Sequence, residues 1–272
     1  MTEQFRPVIL AVAPNGARLT KADHPNLPMT PAELADTAAE CLEAGASMIH
    51  LHVRDAEGRH ILDADLFRAA TEAVRRAVGD RMVIQATTEA VGRYTAAEQM
   101  ALVRDLRPEA ASMALRELVP DAAAEPGAAA FYAWCARERI MVQHILYDAD
   151  DAARLKHLHA TGVIPDSMKS VLFVLGRYRA DQQSTPADLI PFLAAKDPAW
   201  DWMMCAFGRQ EHDCAVAAAL LGGHSRIGFE NNRTARNGEP AAGNAGQIAE
   251  LAATLRGFGR RAAKAEDWRP AL

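Results

Sequence analysis

Residues 48–54 read Met-Ile-His-Leu-His-Val-Arg, which sets two imidazoles, His50 and His52, two positions apart inside an apolar run. In an extended strand, residues i and i+2 share a face. Ile49, Leu51 and Val53 then point one way and the two histidines the other. Two imidazoles side by side at a strand end make half of a zinc-type site. A pair of hydrogen-bonded core histidines gives the same pattern, and local spacing leaves both readings open. A second stretch, Gly-Gly-His-Ser-Arg-Ile-Gly-Phe-Glu-Asn-Asn at 222–232, alternates Arg226, Gly228 and Glu230 with Ile227 and Phe229. One face of it therefore carries an arginine and a carboxylate. A His50, His52, Glu230 set suits Zn²⁺ or another divalent metal and can polarise a carbonyl. The structural alternative for Arg226 is a salt bridge at a strand end.

The elements that must position these groups repeat along the chain. Eight β-rich runs occur at 7–14, 47–53, 81–88, 110–114, 139–147, 170–176, 200–208 and 225–230. Helix candidates separate them at 95–106, 121–137, 150–161, 186–195, 213–221 and 244–256. Thr30-Pro31-Ala32-Glu33 opens the first helix with a capping box and Pro at its first position. Alternating strands and helices imply βαβ units, and eight units in 272 residues predict a (β/α)8 TIM barrel, read as a single catalytic domain over 1–272. The eighth strand of a closed barrel neighbours the first, and the second lies just beyond. Glu230 then approaches His50 and His52 at the C-terminal end, where barrel enzymes keep their sites. The run at 110–114, AASMA, is the weakest strand on propensity. An open doubly wound sheet is the alternative, disfavoured because no G-x-G-x-x-G follows the first run. A long loop, Gly16 to Met29, is a natural place for substrate contacts.

Composition narrows the class. The formal net charge is −5, with no basic excess and no block of like charge, which argues against nucleic acid or a membrane surface as partner. No apolar stretch approaches the ~20 residues needed to span a bilayer. The start, MTEQFRPVILAVAP, lacks the pattern of a secretory leader. Cys41, Cys135, Cys205 and Cys214 show no CxxC pairing and read as reduced packing residues of a cytoplasmic protein.

Three stretches in order, APNGARLTK (13–21), AGASMIHLHVRD (44–55) and GGHSRIGFENN (222–232), resemble the beta-keto acid cleavage enzyme family, which includes 3-keto-5-aminohexanoate cleavage enzyme. The resemblance implies a Zn²⁺-dependent TIM barrel that forms a homo-oligomer, a tetramer. It also implies a reaction between a beta-keto acid and acetyl-CoA that gives acetoacetate and an acyl-CoA. The family's metal ligands fall on His50, His52 and Glu230. Arg226 matches the arginine that supports the family's catalytic carboxylate.

The chain departs from the family at three places. The catalytic aspartate that follows the metal-binding Glu is Asn231 here, and an amide cannot act as a general base. Glu89, just past the third run, is the candidate replacement, and a surface carboxylate is its alternative reading. The family's acidic residue that pairs with the substrate amino group is replaced by Arg18. That inverts the charge and favours a diacid or polar beta-keto acid over 3-keto-5-aminohexanoate. An Arg18–Glu89 pair would weaken this argument by neutralising the pocket. The glycine-rich turn after the third strand is Thr87-Thr88-Glu89-Ala90. Thr87 and Ser112 are candidate hydroxyls for orienting substrate, or hydroxyls satisfied by local backbone. Gln143, His144 and Arg209 are further barrel-top candidates. No P-loop or dinucleotide motif marks where CoA binds. A metal-dependent barrel hydrolase and a non-catalytic metabolite-binding barrel are the competing readings.

Overall fold

A computed structural model describes residues 6–269. Residues 1–5, the first part of the stretch read above as lacking a leader pattern, and 270–272 lie outside the described residues. Eight parallel strands close a barrel in sequential order: β1 (Leu10–Val12), β2 (Met48–Leu51), β3 (Val83–Thr87), β4 (Ala110–Ala114), β5 (Met141–Leu146), β6 (Ser170–Leu175), β7 (Asp201–Ala206) and β8 (His224–Ile227). Helices cross over between them: α1 (Pro31–Ala44), α2 (Ala64–Val78), α3 (Ala96–Leu106), α4 (Leu115–Leu118), α5 (Glu125–Arg137), α6 (Ala149–Ala160), α7 (Leu189–Ala195) and α8 (Glu211–Leu220), with α9 (Asn244–Gly257) after β8. This is the (β/α)8 barrel expected from the sequence, and the open sheet is excluded because β8 pairs with β1.

Local signals explain most of the boundaries. Thr30 and Thr95 each close a capping box, with Glu33 and Glu98 respectively. The sequence pattern above proposes no helix between β2 and β3, yet α2 is there. Asp63 caps it, and its buried Phe67, Ala70, Val74 and Val78 follow helical spacing. β4, the poor strand by propensity, forms because all five of its residues are buried, where small side chains fit beneath neighbours.

Strand alternation divides the core. Ile49, Leu51 and Val53 belong to the layer between barrel and helices. Ile9, Ala11, Met48, Val83, Ala110, Leu172 and Met203 fill the barrel interior together with Trp268. Above that apolar plug, the inward positions become polar: His50, Gln85, Gln143 and Arg226.

The opposite end is tied by Asp201. Its carboxylate accepts from Arg6 (2.7 and 3.2 Å), from His224 Nε2 (3.1 Å) and from the Trp268 indole (3.3 Å). The Ile9 N–H donates to His224 Nδ1 at 3.1 Å, which fixes the ring as the Nε2–H tautomer. Burial alone would raise the Asp201 pKa, but His224 and Arg6 outweigh it and hold the group below the usual carboxylate range. A depressed carboxylate contributes stability that is present above its unfolded pKa of about 4 and is lost as pH falls through the folded value. Asp201→Asn is expected to cost about 1–3 kcal/mol in urea unfolding at pH 7. The gap to wild type should narrow as the pH is taken below about 4. A pH-independent gap would contradict the assignment.

Candidate active site

His50 closes on His52 and Glu230 at the C-terminal mouth. The two Nε2 atoms are 3.1 Å apart, and Glu230 Oε2 lies 3.5 Å from His52 Nε2 and 3.8 Å from His50 Nε2. The three donor atoms all fall within 4.8 Å of one another. β1 separates β8 from β2, so Glu230 must reach across its end. That end is built of Ala13, Pro14, Asn15, Gly16 and Ala17. The Glu230 N–H donates to Ala13 O (3.1 Å). Gly16 has φ +61°, and a Cβ there would sit 2.6 Å from Glu230 Cγ. Gly228 has φ +141°, and a Cβ there would sit 2.5 Å from Ala13 O. Both positions need glycine for backbone conformation and for space. β8 ends at Ile227, so Glu230 projects from a turn rather than from the strand face expected above.

The electrostatics prepare these groups as ligands. His50 Nδ1 lies 2.8 Å from Gln85 Oε1, and an amide oxygen only accepts, so Nδ1 carries the proton and Nε2 keeps its lone pair. Gln85 is aimed in turn by donating to Gln143 Oε1 (3.1 Å). Burial, with Arg226 adding to it, lowers the His50 pKa to about 4, and burial likewise lowers that of His52. Both rings are neutral at pH 7. Burial would raise the Glu230 pKa, but the charge of Arg226 holds it below the carboxylate range. Arg226 donates to Glu230 Oε1 (3.2 Å) and to Cys205 Sγ (3.3 Å). The other oxygen, Oε2, is buried without a donor. Two neutral imidazoles converging with an unpartnered anionic oxygen are the donor set a divalent ion requires, so the residues fit a metal.

Above this cluster opens a cavity of about 530 Å³. Arg18, Thr87, Glu89, Asn231 and Arg209 line it, as does Arg177, which the sequence reading does not anticipate. Arg18 and Glu89 do form the pair considered above, at 2.8 Å. Burial, then repulsion from Glu230, pushes the Glu89 pKa up to about 7 against the pull of Arg18. Thr87 Oγ1 accepts from the Glu89 N–H (3.0 Å). Both polar atoms of the Asn231 amide, and Nε and Nη1 of Arg226, are buried without partners. Ser112 pairs in register with Thr87 and is fully buried, but it does not line the cavity. His144 is a correction. It is one residue out of phase with the inward Gln143 and packs outward against Tyr132 and His159, at ring distances of 5.4 and 6.2 Å.

Several positioning residues also lie outside the sequence reading. Asn15 Nδ2 donates to His52 O (3.1 Å) and ties the two loop bases together. Asn244, the first residue of α9, accepts from Phe229 N (2.9 Å) and donates to Pro14 O (3.2 Å). Glu211 accepts from Gly228 N (3.0 Å). An asparagine within APNG, and a carboxylate opening an otherwise buried helix, were the available signals.

A family model described as beta-keto acid cleavage enzyme matches residues 7–272. The chain belongs to the beta-keto acid cleavage enzyme family. Among its relatives in that family is 3-keto-5-aminohexanoate cleavage enzyme of Acetoanaerobium sticklandii, 28% identical over 97% of each chain. Another is 3-oxoadipate:acetyl-CoA acetyltransferase of Cupriavidus necator, 26% identical over 98% of this chain and 95% of that one. The solved structure of ObcA shares the fold at a TM-score of 0.69 and 16% identity. The match covers 90% of this chain and spans 65% of that one.

Gln85→Leu removes the acceptor that sets the His50 tautomer. It is expected to weaken divalent-metal affinity by about 10–100-fold in chelator competition. Unchanged affinity would contradict the role given to Gln85.

Proposed function

We propose that this barrel reacts a beta-keto acid with acetyl-CoA, releasing acetoacetate and the CoA ester of the shortened acid. The observation that carries the reading is the unpartnered Glu230 Oε2 facing two neutral imidazoles on the floor of a polar cavity. Relatives named 3-oxoadipate:acetyl-CoA acetyltransferase and 3-dehydrocarnitine:acetyl-CoA trimethylamine transferase support the choice of acetyl-CoA as co-substrate. His50, His52 and Glu230 would hold the metal, taken as Zn²⁺. When bound, it supplies a Lewis acid for the negative charge that develops on the keto oxygen.

The chain's own residues do the rest. Glu89 takes the proton from the substrate's alpha carbon, a task its pKa near 7 suits. Asn231, with amide donor and acceptor both free of protein partners, orients the substrate by hydrogen bonds at the position where the family resemblance implies a carboxylate. Arg226 fixes Glu230 through one nitrogen and presents its remaining donors to the substrate carboxylate. The Thr87 hydroxyl steadies the Glu89 backbone and keeps its own proton for substrate. Ser112 supports Thr87 from the adjacent strand.

Arg18 on the cavity wall favours a diacid or polar acid such as 3-oxoadipate or 3-oxoglutarate over an amino acid substrate. The whole chain, 1–272, acts as one catalytic unit. Free, buried cysteines support a cytoplasmic setting. Among the described residues no helix is long and apolar enough to cross a membrane. A homo-oligomer of four copies completes the reading, and light scattering checks it.

The test is a panel of beta-keto acids with acetyl-CoA, with and without chelator, on wild type and Arg18→Glu. Acetyl-CoA should be consumed only by metal-loaded protein. The diacids should lead in wild type, and Arg18→Glu should shift the ranking toward the amino substrate. Turnover without CoA would indicate a hydrolase, and binding without turnover a metabolite carrier. Faster turnover of 3-keto-5-aminohexanoate by wild type would remove the diacid assignment.

A further inference from the structure

Glu89 has two cationic partners. Its Oε1 lies 2.8 Å from Arg18 Nη1 and 3.4 Å from Arg177 Nη2. The three residues come from three separate loops, after β1, β3 and β6. Arg18 is half exposed, whereas the Arg177 side chain is only 16% exposed and its guanidinium lies 5.2 Å from the Phe207 ring centroid. That stacking fixes its direction. Among the described residues, Glu89 is the only carboxylate within salt-bridge distance of Arg177. Two guanidinium groups thus converge on one carboxylate oxygen. The second oxygen, Oε2, points the other way and lies 4.0 Å from His52 Nδ1. The seat therefore sits beside the metal-ligand cluster, on the cavity wall, a short carbon chain away.

We infer that Arg18 and Arg177 form the seat for the substrate's distal carboxylate, and that Glu89 occupies this seat in the free protein and yields it when a diacid binds. The Arg18–Glu89 pair by itself offers a ligand one guanidinium already matched to a carboxylate, and Arg177 adds a second to the same seat. A planar carboxylate bridging two guanidinium forks gains charge-assisted hydrogen bonds from both. Glu89, released from Arg18 and Arg177, is left free to face the substrate's alpha carbon. Binding of the distal group is thereby coupled to placement of the carboxylate that works on the reacting end. A cationic distal group meets two guanidinium groups and gains neither effect. The inference rests on the proposed beta-keto acid reading for the identity of the substrate's reacting end. The seat itself is tested without turnover.

The experiment is calorimetric titration of the metal-loaded protein with glutarate and with butyrate, which differ by one carboxylate. Wild type should bind glutarate at least ~10-fold more tightly. Arg177→Met should lose that preference while its butyrate affinity stays unchanged, which also reports an intact site. Glu89→Gln removes the internal competitor and should bind glutarate several-fold more tightly, raising the glutarate-to-butyrate affinity ratio above that of wild type. Undiminished glutarate preference in Arg177→Met would overturn the seat. Weaker glutarate binding in Glu89→Gln would overturn the displacement. If this pattern holds while no beta-keto acid consumes acetyl-CoA, the seat stands and the proposed reaction falls.

Discussion

A carboxylate as enclosed as Glu230, whose side chain is 13% exposed, must be balanced by its neighbours, and the site is organised around that balance. Arg226 satisfies one oxygen from within the barrel. The other oxygen faces the imidazoles of His50 on β2 and of His52 just past it, with β1 lying between β8 and β2. The crossing is possible because the end of β1 carries only small residues and because Gly16 and Gly228 leave room where any side chain would collide. The steric emptiness of one strand end thus decides where charge can be concentrated.

The surrounding hydrogen bonds serve that crossing. Asn15, Asn244 and Glu211 each capture a backbone group of the loops that meet over β1. Gln85 and Gln143 form an amide relay inside the barrel that dictates which nitrogen of His50 is free. A chain of amides can do this without adding charge to a site that already holds two buried ions. Further out, Glu89, Arg18 and Arg177 set the charge of the wall.

How far the sequence could be read follows from the range of each interaction. The strand period alone separates His50 and His52 from Ile49, Leu51 and Val53, because alternation is local. The barrel follows from eight repeats of a local pattern, and the β8–β1 pairing follows from closure. α2 is legible in the sequence although the pattern of runs omits it, because its apolar spacing and Asp63 cap are local signals. Arg177 was not legible, since its meaning arises only when the loops after β1, β3 and β6 meet. His144 is not at the barrel top with Gln143, because one residue along a strand reverses the face. Glu230 joins the expected cluster although it projects from a turn, because Gly228 re-aims the chain just past the strand.

The central claim is that Glu230 Oε2 and the two Nε2 atoms share one metal ion. Anomalous diffraction from crystals of the purified, zinc-loaded protein tests it most directly. The account predicts a single strong peak within coordination distance of His50 Nε2, His52 Nε2 and Glu230 Oε2, lost in His52→Ala. Metal bound elsewhere, or a fully loaded protein whose peak touches neither histidine, would contradict it.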